Sequence, residues 1–192
     1  RVGPLARVNN CERFHTPLAE QERQDFAAAG EGRPLQAALA THWARMIELL
    51  HCAEAIRELL ADPDLQGTDL RRDGTLQTAG IGVLEAPRGT LFHHYEIDPD
   101  GLVTRANLIV STTNNNQAMN ESIRRVAADD LDGHALTEPL LNRIEVAIRA
   151  YDPCLSCATH AVGKMPLELE LLDADGRRVG RLVRHVDGSI TH

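Results

Sequence analysis

Apolar residues recur at three- and four-residue spacing from Pro34 to about Ala61, through Leu35, Leu39, Met46, Leu49, Leu50, Ala53, Ile56 and Leu60. This period predicts one long helix, closed by Asp62-Pro63-Asp64. It would run roughly 40 Å at 1.5 Å per residue, which suits the spine of a larger helical protein. Residues 1–33 carry the breakers Gly3, Pro4, Pro17, Gly30 and Gly32 and read as loop-rich. Residues 62–80 are polar and read as loop. Strands are predicted over Thr90–Ile97 and Val103–Val110, turned by Asp98-Pro99-Asp100-Gly101. The polar run Thr112 to Asn116 is read as the cap of a helix from about Gln117 to Ala128. Thr137 caps another helix to about Ala150, with Pro139 in its first turn and Leu140, Leu141, Ile144, Ala147 and Ile148 on its apolar face. A second hairpin follows: Leu167, Leu169 and Leu171 alternate with glutamates, Asp173-Ala174-Asp175-Gly176 turns, and Val179, Leu182, Val183 and Val186 return. The fold class is therefore α+β, mainly helical, with long core helices and small antiparallel hairpins.

Composition narrows the function classes. The chain has 192 residues, 43% hydrophobic and 25% charged, an ordinary globular mixture with few aromatics at 3%. A net charge of −8 argues against nucleic-acid binding. There is no leader-like start and no long apolar run, so a soluble, cytoplasmic protein without membrane insertion is expected. The opening Arg1-Val2-Gly3-Pro4-Leu5 reads as the middle of something, so a truncated or processed N-terminus is expected.

The chemistry concentrates in Asp152-Pro153-Cys154-Leu155-Ser156-Cys157-Ala158-Thr159-His160. Cys-x-x-Cys can bring two sulfurs onto one ion, and thiolates prefer zinc, nickel, copper(I) or iron–sulfur clusters. His160 falls on the same side if the segment is helical. Other readings compete. A thioredoxin-like pair expects a strand before it, whereas a helix is predicted here. Haem attachment needs His directly after the second Cys, and Ala158 stands there. A structural zinc site needs four ligands; Cys11 or Cys52 could contribute, but Cys52 reads as core of the long helix. Two inert buried cysteines remain an option, and spacing alone leaves all of these open.

The pattern D-P-C-x-x-C-x-x-H resembles the C-terminal signature of NiFe-hydrogenase large subunits. Glu85-Ala86-Pro87-Arg88-Gly89, with Leu91 and His93 following, resembles that family's E-A-P-R-G segment. Ile109-Val110-Ser111-Thr112-Thr113-Asn114 is similar to the strand end lining the family's active site, and Arg1 to Arg7 is similar to another family segment. The order is the family's, from Arg1 to His160. Asn114-Asn115-Asn116 and Arg149-Ala150-Tyr151 look most like the soluble NAD-reducing, bidirectional group.

The resemblance implies the C-terminal portion of the hydrogenase large-subunit fold and a set of roles. Four thiolates hold nickel in the family, two bridging to an iron that carries cyanide and carbon monoxide. Cys154 would be a terminal nickel ligand and Cys157 a bridging one. Arg88 would hold its guanidinium over the metals, partnered by Asp152. Pro87 and Thr112 would enclose the diatomic ligands, Thr112 by hydrogen bonding to cyanide. His160 and the Leu108 carbonyl would bind a structural magnesium, with a glutamate from the family's N-terminal half. His42, His51, His94 and His134 are left as structural or surface. The implied activity is reversible, heterolytic H2 oxidation, with electrons leaving through an iron–sulfur small subunit to flavin- and NAD-binding subunits.

Two departures qualify this. The family's first cysteine pair, in R-x-C-G-x-C, is absent, so the chain is expected to be incomplete and inactive alone. Residues 161–192 extend past the histidine at which mature family members end. Residues 1–160 are thus read as the large-subunit part, and 161–192 as an extension that a maturation endopeptidase removes. Two functions compete with this one: a small zinc-binding interaction module, or a non-catalytic, hydrogenase-like structural subunit.

Overall fold

A computed structural model of the chain describes residues 1–130, 135–154 and 166–192. It divides into two compact units, Arg1–Asn114 and Asn115–His192. Helices and small antiparallel sheets make it α+β, as expected.

The first unit opens with helices where loops are expected. α1 spans Pro4–Asn10 and α2 spans Pro17–Ala29. Both prolines stand at the start of a helix, where a missing N–H costs nothing and the fixed φ is already helical. They begin helices rather than break loops. α3 spans Ala40–Leu60, 21 residues, so it starts later than Pro34. A contact from α1 is the reason: Asn9 Nδ2 donates to the Leu35 carbonyl at 2.9 Å and Asn9 Oδ1 accepts from the Leu35 N–H at 3.1 Å. This pair of hydrogen bonds holds Leu35 outside the helix.

α1 and α2 pack on α3 around Leu5, Val8, Ala19, Phe26, Ala44 and Ile47. The face of α3 turned to this core is Thr41, Ala44, Ile47 and Glu54, not the expected leucine face. Met46, Leu49, Ile56 and Leu60 are exposed, and so is Cys52, against its reading as core. Glu54 is buried because α2 has no cap of its own: its carboxylate accepts from the Leu18 and Ala19 N–H groups at 3.1 and 3.0 Å. Burial alone would raise this carboxyl's pKa, but those N–H groups and the Thr16 hydroxyl together lower it. His51 serves structure, pairing its Nδ1 with Thr16 Oγ1 at 2.9 Å.

A short 3-10 turn, Pro63–Gln66, and a loop lead to β1, Ala79–Ala86. The sequence pattern does not announce this strand, since Gly80 and Gly82 interrupt any alternation. β2, Gly89–Ile97, pairs with it along its whole length, and β3, Val103–Ile109, pairs with β2. At the β2–β3 turn Asp98 Oδ1 accepts from the Asp100 and Leu102 N–H groups, and Gly101 takes φ 82°.

α4 spans Ser111–Asp130. The polar residues expected to precede it form its first turns instead, with Ser111, Thr112 and Asn115 buried. In the second unit α5 spans Glu138–Ala150, and the Thr137 side chain accepts from the Leu140 N–H, as its cap position predicts. Leu140, Leu141, Ile144, Ala147 and Ala150 are buried. β4, Leu167–Leu172, pairs with β5, Arg178–Arg184, with Leu169 opposite Leu182. The return strand stops before Val186, which is exposed, and a short β6, Ile190–Thr191, pairs on β5. Asp173 and Gly176 repeat the turn chemistry of Asp98 and Gly101.

Candidate functional site

The candidate residues fall on both units. In the first, β1 ends at Ala86 and β2 begins at Gly89, which pair across the sheet. Pro87 and Arg88 form the exposed two-residue turn between them. Gly89 has φ 133°, which L side chains rarely adopt. The segment Val2-Gly3 lies directly against this turn. A Cβ on Gly3 would stand 2.8 Å from the Arg88 carbonyl oxygen, and one on Gly89 would stand 2.9 Å from the Gly3 nitrogen. Glycine at both positions is what lets the two backbones touch.

Arg7 also binds this turn. Its Nε and Nη2 donate to Glu48 at 2.6 and 2.7 Å. Its Nη1 donates to Glu85 at 2.9 Å and to the Ala86 carbonyl at 2.8 Å, and Nη2 also donates to the Pro87 carbonyl at 2.9 Å. The Glu48 hydrogen bond raises the Arg7 pKa, against burial. Burial pushes the Glu85 carboxyl up, but hydrogen bonds from Thr90 and Arg7 together lower it. Thus three segments that the sequence singles out separately, Arg1 to Arg7, Glu85 to Gly89 and the long helix, meet at one turn.

Thr112 is buried in the first turn of α4, and the neighbouring Asn114 Nδ2 reaches the Thr90 carbonyl at 3.4 Å. Leu108 lies in β3 opposite His93. In the second unit, Asp152 follows α5 with φ 48°, its N–H bonded to the Arg149 carbonyl at 3.0 Å. Tyr151 fixes this helix end: its hydroxyl donates to the Ala118 carbonyl at 3.1 Å and pairs with Ser122 Oγ at 2.8 Å. Cys154 comes next and is half-buried. A helix thus precedes the Cys-x-x-Cys, against the strand of a thioredoxin-like pair. Cys157, His160 and His134 lie outside the described residues. Among the described residues no group of three or more His, Cys, Asp or Glu side chains could hold a metal ion.

Arg7, Glu48 and Tyr151 do not stand out as site residues in the sequence. A signal for Arg7 exists, because it ends the Arg1 to Arg7 segment. Nothing in the helical pattern distinguishes Glu48 from its solvent-facing neighbours.

The family model of nickel-dependent hydrogenases, a class of metal enzyme, matches residues 1–160. The chain belongs to the nickel-dependent hydrogenase family. It is 52% identical over 188 residues to the NAD-reducing hydrogenase HoxS subunit beta of Cupriavidus necator, covering 96% of this chain and 38% of that protein. It is 41% identical over 181 residues to an F420-non-reducing hydrogenase iron-sulfur subunit of Archaeoglobus profundus, covering 93% of this chain and 37% of that protein. The crystal structure of an NAD+-reducing NiFe-hydrogenase in the H2-reduced state superposes with a TM-score of 0.79 at 57% identity, over 83% of this chain and 36% of that one. The chain therefore spans less than two fifths of the length of these relatives.

Proposed function

We propose that this chain forms the C-terminal part of the catalytic subunit of a hydrogenase, supplying half the thiolates of a nickel–iron centre. The observation that carries the reading is the family match running from the Arg1 to Arg7 segment through Arg88 to His160. The donor chemistry fits. Cysteine thiolates are the soft, electron-rich ligands a redox-active nickel needs, and Cys154 stands half-buried at the anchored end of α5. Cys154 and Cys157 would hold nickel, Cys157 also bridging to an iron with cyanide and carbon monoxide ligands. The centre would supply the electron-pair acceptor that lets H2 split heterolytically.

This chain's residues would do the rest. Arg88 keeps a permanent positive charge and would orient H2, with the Asp152 carboxylate as its partner on this reading. Its turn is rigidly backed by Gly3 and Arg7. Pro87 and Thr112 would shield the iron's diatomic ligands, with the Thr112 hydroxyl donating to cyanide. His160 and the Leu108 carbonyl would hold a structural magnesium.

Partners follow from the same reading. Electrons would leave through an iron–sulfur subunit, since four cysteines are too few for both nickel and clusters. The NAD-reducing relatives support NAD as the final acceptor; on this reading flavin-bearing subunits would carry the electrons to it, in the cytoplasm. No described helix is long and apolar enough to cross a membrane. The family match ends at His160, whereas the HoxS alignment of 188 residues runs beyond it. On this reading residues 161–192 are an extension shared with that relative, which an endopeptidase would remove between His160 and Ala161 once nickel is in place.

The test uses the full-length subunit matured in its native host. Cys157→Ser should abolish H2 turnover, and mass spectrometry of the wild type should find the chain ending at His160. Activity surviving in the variant would refute the bridging role. An intact His192 in the nickel-loaded wild type would refute the cut. One equivalent of zinc in place of nickel would instead favour a zinc-binding module.

A further inference from the structure

We propose that Arg7 is a positioning residue for Arg88, acting through the backbone of the turn that bears it. The inference rests on the reading that Arg88 acts at the metal centre. Arg88 sits on an exposed two-residue turn of a sheet whose first and third strands are solvent-exposed. The sheet's own packing therefore gives this turn little rigidity. A guanidinium that must meet a small reactant at one point needs its backbone fixed, because displacement by about 1 Å can cost a hundredfold in rate.

Arg7 provides that fixing with its complete donor set. A guanidinium has five N–H groups in a planar fork, and here each has an acceptor. Two face the Glu48 carboxylate of α3, one faces Glu85, and two face the Ala86 and Pro87 carbonyls. The last two belong to the residues immediately preceding Arg88. Gly3 in turn approaches the Arg88 carbonyl so closely that no Cβ would fit. The turn is thus held on both flanks of Arg88 along the chain: the Ala86 and Pro87 carbonyls by the guanidinium, the Arg88 carbonyl by the close Gly3 backbone. Glu48 aims that guanidinium and balances its charge in a half-buried place, with side-chain exposures of 25% for Arg7 and 19% for Glu48. An arginine serving only to tie α1 to α3 would need Glu48 alone. The bonds to three consecutive residues, Glu85, Ala86 and Pro87, point to the turn as its object.

The experiment takes the full-length subunit in its complex and compares wild type with Arg7→Lys. Lysine keeps the charge but offers three donors and no fork. Four quantities are read: nickel content, infrared stretching bands of the diatomic ligands, amide exchange of Arg88 and Gly89, and kcat with KM for H2. The expected result is unchanged nickel, faster exchange at the turn, shifted bands and a kcat lowered roughly tenfold to a hundredfold with little change in KM. Arg105→Lys, an exposed pair partner of Glu96 in the same sheet, should change none of these. Should Arg7→Lys fail to accumulate, Glu48→Gln, which leaves Arg7 in place but unaimed, must show faster exchange and lower kcat. Unchanged exchange and kcat in either variant, beside an active wild type, overturns the proposal. So does a fall in kcat that only tracks lost nickel, since that marks a purely structural role. A wild-type complex without nickel or H2 turnover instead removes the reading of Arg88 itself, and this proposal with it.

Discussion

The two helices richest in apolar residues dispose of them in opposite ways. Along α5, Leu140, Leu141, Ile144 and Ala147 are buried within the second unit while Arg143 and Arg149 point outward. Along α3, Met46, Leu49, Ile56 and Leu60 are 57–73% exposed, and the core takes Ala44 and Ile47 with the polar Thr41 and Glu54. A helix apolar on more than one side belongs inside a larger protein, and an exposed apolar stripe marks a surface that something covers. The relatives, more than twice as long, have the polypeptide to do it. α5 buries most of its apolar residues in this chain, Val146 excepted; α3 buries one side only.

Core truncations give the largest effects and separate the helices most sharply. Leu141→Ala should cost about 2–5 kcal/mol in urea denaturation of this chain, as fully buried leucines do. Leu49→Ala should cost less than about 0.5 kcal/mol in this chain but about 2 kcal/mol or more in the full-length subunit. Equal small costs in both contexts would break the comparison. Tyr151→Phe removes the hydroxyl that ties α5 to α4 and should cost about 1 kcal/mol, read by the same denaturation. The smallest effect is acid-dependent. Hydrogen bonds from Arg23, then Gln24 and the Phe14 N–H, lower the Glu20 carboxyl from 4.5 to about 2. A lowered folded-state pKa stabilises above the unfolded value, and that contribution is lost as pH falls from 4.5 toward about 2. Glu20→Gln should flatten this part of the stability profile, and an unchanged slope would discount the pair.

What can be read in advance follows local chemistry. Thr137 with Pro139 announces α5, and the Asp-x-Asp-Gly turns announce both hairpins, because capping and positive-φ glycine are decided by a few adjacent residues. Pro4 and Pro17 mislead because proline both ends and begins helices, and only tertiary packing tells which. β1 is hidden because its stability comes from pairing with β2 rather than from its own glycine-rich pattern. The direction in which α3 faces depends on α1 and α2, which the periodicity of α3 does not contain. Among the candidate residues, Arg88, Asp152 and Cys154 are legible through motif resemblance. Arg7 is marked only as the end of the Arg1 to Arg7 segment and Glu48 not at all, since their hydrogen bonds form only where three distant segments converge.

The most direct test of the metal-centre reading is the nickel content of the full-length subunit matured in its native host, wild type beside Cys154→Ser. One nickel per wild-type chain is predicted, and none retained by the variant, which has lost a terminal thiolate. Stoichiometric nickel in Cys154→Ser would contradict it.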